Sequence, residues 1–154
     1  MNRLVSKSLL ALCAFAFVVS AQMSYKWKGT DGWGINTPYE QLISHFGVQS
    51  FSGTIMQIDT LTPIKGMSVG IQFLVKSSSG EEIPVQLGPQ WFLVRQDLNL
   101  TIKSAVEIRG TRFSLNGKNT VAAFTVIAGD RALFLRDSEG IPYWCAWRNS
   151  NGKL

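Results

Sequence analysis

The chain has one histidine, His45, and two cysteines, Cys13 and Cys145. Hydrolytic triads and most zinc sites draw on histidine, and His45 has no Cys, Asp or Glu near it at a ligand-like spacing. There is no Walker loop, no GxGxxG and no CxxC, so the common phosphate-cradling, dinucleotide-binding and thiol-redox motifs are absent. Glu81 and Glu82 are neighbours, and neighbours on a strand point to opposite faces, so they form no acid/base pair. These absences predict a protein that is not an enzyme and that carries no metal or cofactor.

Long hydrophobic runs are also scarce. The run from Leu9 to Val19 is about half of the ~20 residues needed to span a bilayer. Arg3 and Lys7 precede it and Val19-Ser20-Ala21 supplies the small residues of a cleavage site, so residues 1–21 are read as a secretory signal peptide. Cys13 is not read as a lipoprotein cysteine, because Leu12 stands where that signal needs a small residue. The mature chain is expected to be secreted and periplasmic, with no transmembrane span. With Arg3 and Lys7 gone, the 15 basic residues fall to 13 against 10 acidic, a charge of +3. That is a weak attraction for a polyanion. Cys145 remains alone, which rules out an intramolecular disulfide and makes it a small buried apolar residue.

What the chain does have is aromatic and apolar weight: 45% hydrophobic residues, with five Trp and nine Phe. Residues 22–47 are read as an arm, irregular around Trp27, Trp33 and the glycines, then helical from Pro38 to about His45. Thr37 is placed as N-cap, Pro38 at the first helical position and Glu40 completing a capping box. From Val48 the pattern changes to strands. Val48 to Leu61 is rich in β-branched and apolar residues and bends at Gly53. Ser68 to Lys76 alternates, with Val69, Ile71, Phe73 and Val75 on one face and Gly70, Gln72 and Lys76 on the other. Ser77 to Gly80 turns it into a hairpin with Glu82 to Leu87. Gly88-Pro89 then breaks the strand, and Trp91-Phe92-Leu93-Val94 fits one helical turn against a core.

Strands resume at Ala105 to Leu115. Asn116-Gly117 is a strong hairpin signal leading to Asn119 to Ala128. Arg131 to Arg136 and Ile141 to Trp147 are predicted to form a C-terminal hairpin, followed by a polar tail at 148–154. The order is three strands, a short helix, two strands and an extra hairpin. This is the arrangement of an all-β, OB-fold-like five-stranded Greek-key barrel, with a short helix between strands 3 and 4 plus a short N-terminal helix. The domain is placed at 48–147.

With those residues in place, the chain resembles a group of small exported bacterial OB-fold proteins often labelled nucleic-acid-binding on fold grounds. The residues that carry the resemblance are Gly32-Trp33-Gly34, Thr37-Pro38-Tyr39, Thr62-Pro63 through Gly66-Met67, Val85 to Gly88-Pro89 with Trp91, Gly110, Leu135-Arg136-Asp137, Gly140-Ile141-Pro142 and Trp144. Similar proteins tend to carry a Gly-Asp turn before the fourth strand, where this chain has Lys103-Ser104. The resemblance implies a binding module, and fold alone does not name its ligand.

Two groups of residues are therefore candidates. Lys65, Gln72, Lys76, Gln86, Arg112 and Lys118 belong to the face and loops of strands 2 and 3 and their neighbours, where an OB-fold takes ligands. Tyr143, Trp144 and Trp147 form an aromatic cluster suited to docking a partner. Trp91 and Phe92 are expected in the core. No aromatic stacking platform lies on the polar face, so single-stranded nucleic acid is the alternative ligand and not the first. The expected function is a secreted, non-enzymatic binding module for a small ligand or envelope protein partner, with an envelope structural or assembly factor as a further alternative.

Overall fold

One strand is long enough to serve two partners. β1 (Val48–Leu61) pairs antiparallel with β4 (Ala105–Leu115) through its first half, Val48↔Thr111 to Thr54↔Ala105. Its second half pairs antiparallel with β2 (Gly70–Ser77), from Gly53↔Ser77 to Leu61↔Gly70. The exchange of partners falls at Gly53, where a Cβ would lie 2.5 Å from the Lys76 carbonyl oxygen. Met56 is an extra residue in the β1–β2 register, and such a bulge sharpens the strand's bend. The computed structural model describes residues 30–43, 47–97 and 99–145. The expected signal peptide, the arm before Thr30, His45, Trp147 and the 148–154 tail lie outside these residues.

From β2 the chain turns back at Ser77 to Gly80 into β3 (Glu82–Pro89), then makes one helical turn, α2 (Gln90–Leu93), before reaching β4. Pro89 cannot donate to a ladder and holds an extended conformation ahead of the helix. The Gln90 N–H bonds the Val69 carbonyl at 2.9 Å, tying α2 to the start of β2. β4 leads through Asn116-Gly117, both at positive φ (51° and 77°), into β5 (Lys118–Ala128). Positive φ at both central residues makes this a type I′ hairpin, which matches strand twist. β5 also pairs in parallel with β3 at Val85↔Val121 and Gln86↔Ala122. The strands β1, β2, β3, β5 and β4 therefore close a ring, and β6 (Arg131–Phe134) extends it from β5.

Inside the ring sit Ile55, Phe73, Val75, Ile83, Val85, Leu87, Val106, Ile108, Val121 and Val126, all buried. β3 and β5 are buried on both faces along most of their length, so a second layer must lie outside them. It comes from the two ends of the chain. α1 (Pro38–Ile43), whose Glu40 N–H is capped by the Thr37 hydroxyl at 3.1 Å, buries Tyr39 and Ile43. Trp33 precedes it, and Trp144 and Cys145 arrive from the other end.

The C-terminal hairpin expected from Ile141 to Trp147 is not the observed structure. A turn at Asp137 to Gly140 closes on a single bridge, Arg136↔Pro142, and residues 143–145 are already helical. Pro142 has no N–H to continue the ladder, and burial of the Trp144 indole draws the chain inward. Lys103 adopts φ 73°, a left-handed conformation that glycine takes at lower cost.

Candidate functional site

The outer face of β2 and β3, the first candidate for a ligand, is occupied by the protein itself. Gln72 and Gln86 are cross-strand partners on that face, as alternation requires. The Tyr39 hydroxyl donates to Gln86 Oε1 at 2.7 Å and Gln86 Nε2 donates to Gln72 Oε1 at 3.4 Å. Gln86 is thereby buried beneath a phenol, which corrects its reading as a surface ligand residue. Burial pushes the Tyr39 pKa up to about 12, against a smaller opposing pull from Arg136.

Trp33 lies over Gly70, where a Cβ would overlap its ring, and Trp144 lies over Gly88, within 2.7 Å of the position a Cβ would take. The Trp144 Nε1–H donates to the Trp33 carbonyl at 2.8 Å, and the Trp33 Nε1–H donates to the Ser68 carbonyl at 2.9 Å. Trp144 is fully buried, so it is a packing residue and not part of a docking surface. Its neighbour Tyr143 is 45% exposed. The two cannot face the same way on one helical turn, and the indole takes the apolar side.

Arg136 is the most unusual group in this layer. It is 3% exposed, its Nη1 donates to the Ala123 carbonyl at 2.8 Å, and its guanidinium carbon sits 4.8 Å from the centre of a Trp144 ring. Burial lowers its pKa from the ordinary arginine value, while Tyr39 and Cys145 act the other way. The Cys145 thiol is pushed up, first by burial.

The basic candidates do not all converge. Lys65 lies in the loop beyond the Leu61↔Gly70 end of the ladder and Lys76 near the other end, about 20 Å away along β2. Lys118 stands beside the Asn116-Gly117 turn, opposite Leu115. Arg112 is engaged with Glu81 across the end of the ring, through Nη1–Oε1 and Nη2–Oε2 contacts of 3.0 Å each. These bonds hold the Glu81 carboxyl below its ordinary pKa.

The opening lies at the other end of the ring, beside α2. Ile58 and Phe73 are register partners and share the inward face there. Leu87 closes one wall, α2 brings in Leu93, the segment after α2 brings in Leu100, and β6 contributes Leu133, whose strand partner Val126 is in the core. These side chains surround a pocket of about 130 Å³. A second recess of about 260 Å³ adjoins it, sharing Gln96 and Leu133 and adding Asp97, Arg131 and Ala132. Arg131 is exposed and donates from Nη1 to the Asp97 carbonyl at 3.0 Å. The mouth thus offers an apolar floor with an amide, a carboxylate and a guanidinium at its rim, from Gln96, Asp97 and Arg131. Such a combination takes an apolar group with a polar or anionic end.

A model of the MamS/MamX magnetosome protein family matches residues 47–133. The chain belongs to that family. The match begins one residue before β1 and ends within β6, so it takes in the whole ring and every residue that lines the mouth. Trp33, Tyr39 and Trp144, which cover the outer face, lie outside the matched span of the MamS/MamX family. No curated protein matches the chain. Among the described residues no helix is long and apolar enough to cross a membrane, and no group of three or more His, Cys, Asp or Glu side chains is placed to hold a metal ion.

Sequence reasoning missed the mouth because its residues are mostly ordinary core types scattered over five elements and a connecting segment. The available signal was a surplus: Leu93, Leu100 and Leu133 are apolar residues beyond those, such as Phe73, Val85 and Val121, that fill the ring.

Proposed function

We propose that this member of the MamS/MamX family is an exported, non-enzymatic OB-fold binding module that works beside the magnetosome or envelope membrane and takes its ligand or partner at the mouth of the ring. The OB reading is supported by the strand circuit β1-β2-β3-β5-β4, its parallel β3–β5 closure and the helical turn between β3 and β4. The location is supported by the family and by the signal-like N-terminus.

The observation that carries the reading is the apolar mouth between α2 and β6. A packed ring fills its ends, and an end lined by leucines yet left open marks a binding site. Toluene and decanoate are suitable probes. Saturable binding of either, weakened by Leu100→Lys at the rim, is the expected result; absence of saturable binding to the folded protein overturns the proposal. Nucleic acid is disfavoured because the outer face of β2 and β3, where an OB-fold stacks bases, is covered by Trp33, Tyr39 and Trp144.

A further inference from the structure

The mouth has an open strand edge beside it. β1 is paired with β4 as far as Thr54, and Ile55 bonds the next turn through its N–H to Ser104 and its carbonyl to Lys103. Beyond that point β2 covers one edge of β1 to Leu61, and among the described residues no backbone group bonds the other. Alternate N–H and C=O groups of an antiparallel strand point to opposite sides, so Gln57 to Leu61 leaves a short row of them unpaired by the described residues.

Natural edges of this kind are blunted by lysine, proline or an inward charge. This one has no Lys or Pro between Gln57 and Leu61. Its one charge, Asp59, accepts a hydrogen bond from the Gln57 amide at 2.7 Å along the strand. Met56 and Ile58 are 44% and 37% exposed, and Ile58 is also a wall of the 130 Å³ pocket. A cavity of about that size takes one benzene-sized group.

We infer that the occupant of the mouth is an extended segment of a partner protein, added as a strand to the open edge of β1 at Gln57–Leu61, with one large apolar side chain in the pocket and an acidic residue at Arg131. The inference rests on the reading of the mouth as the binding site. An acyl chain fills the pocket equally well but has no use for a row of backbone donors and acceptors. An extended peptide uses both, since main-chain bonds give it affinity and the pocket gives it specificity. The Arg131 guanidinium is exposed and spends one donor on Asp97, which leaves the others for a carboxylate.

The test uses blocked nine-residue peptides of valine and threonine with a central phenylalanine and one glutamate, followed by backbone NMR of the whole mature protein. Binding is expected to slow amide exchange at the open edge of β1 by about tenfold or more. Replacing the central phenylalanine by alanine is expected to weaken binding at least about tenfold. N-methylation of alternate peptide residues on the docking edge is expected to abolish it, and N-methylation on the opposite edge to leave it intact. If toluene binds but no peptide protects the β1 amides, the strand-addition inference falls and the mouth remains a small-ligand site. If neither binds, both readings fall. Self-association that protects the same amides without peptide overturns the inference in favour of a second copy of the chain.

Discussion

The outer face of β3 and the mouth of the ring end in opposite states. On the outer face two indoles and a phenol from the two ends of the chain cover the sheet, with their polar atoms bonded to Ser68, Trp33 and Gln86. At the mouth Leu93, Leu100 and Leu133 surround space that no side chain of the described residues fills. The difference lies in what reaches each place. A rigid aromatic ring covers a large area with little rotamer entropy and can place a donor at its edge, so it seals a sheet face well. Leucines brought in by a one-turn helix and a connecting segment meet only at their tips. The sealed face gives stability, and the unsealed end is the proposed site.

The comparison breaks most visibly at Trp144. Trp144→Ala should destabilise the protein by about 3–5 kcal/mol in urea unfolding, because it empties a buried indole site and exposes Arg136. A loss under about 0.5 kcal/mol would mean that the face is not sealed.

Alkaline titration addresses the same layer. The folded pKa of Tyr39, about 12, is raised above the ordinary value of 10.0, so its contribution is complete below pH 10 and is lost as pH rises toward 12. The loss should amount to roughly 2–3 kcal/mol. Tyr39→Phe should remove this step and cost about 1–3 kcal/mol at neutral pH by leaving the Gln86 amide oxygen buried without its donor.

Changes at the mouth should be milder. Leu100→Ala should cost about 1 kcal/mol in stability, since the side chain is only half-buried, while measurably changing the affinity for toluene. Lys103→Gly, in the segment beside the mouth, should stabilise the fold by up to about 1 kcal/mol by relieving the left-handed conformation.

The smallest effect belongs to the far end of the ring. Arg112→Ala should change stability by less than about 1 kcal/mol, because the Glu81 pair is largely in solvent. The Glu81 carboxyl should then titrate nearer its ordinary value. In the native protein, whatever the pair contributes is present at neutral pH and fades as acid protonates Glu81 through its depressed pKa.

Much of the ring was legible in the sequence because its signals are local. Asn116-Gly117 names its turn, Gly88-Pro89 names the end of a strand, and alternation in Phe73 and Val75 names a face. The covered face was not legible, because Gln86 alternates as a surface residue should. Its burial depends on Tyr39, 47 positions earlier in the chain. Trp144 failed as a docking residue for the same reason: its partner Trp33 is 111 residues away, and no local pattern records that contact. The mouth was hidden by its ordinariness, since a leucine at a rim and a leucine in a core read alike.

The measurement that separates the two regions most directly is a site-resolved NMR titration of the protein with toluene, following leucine methyl groups and indole N–H groups together. The account predicts saturable shifts at Leu93, Leu100 and Leu133 while the Trp33 and Trp144 indole signals stay in place. Movement of those indole signals with the leucine methyls unchanged would contradict it.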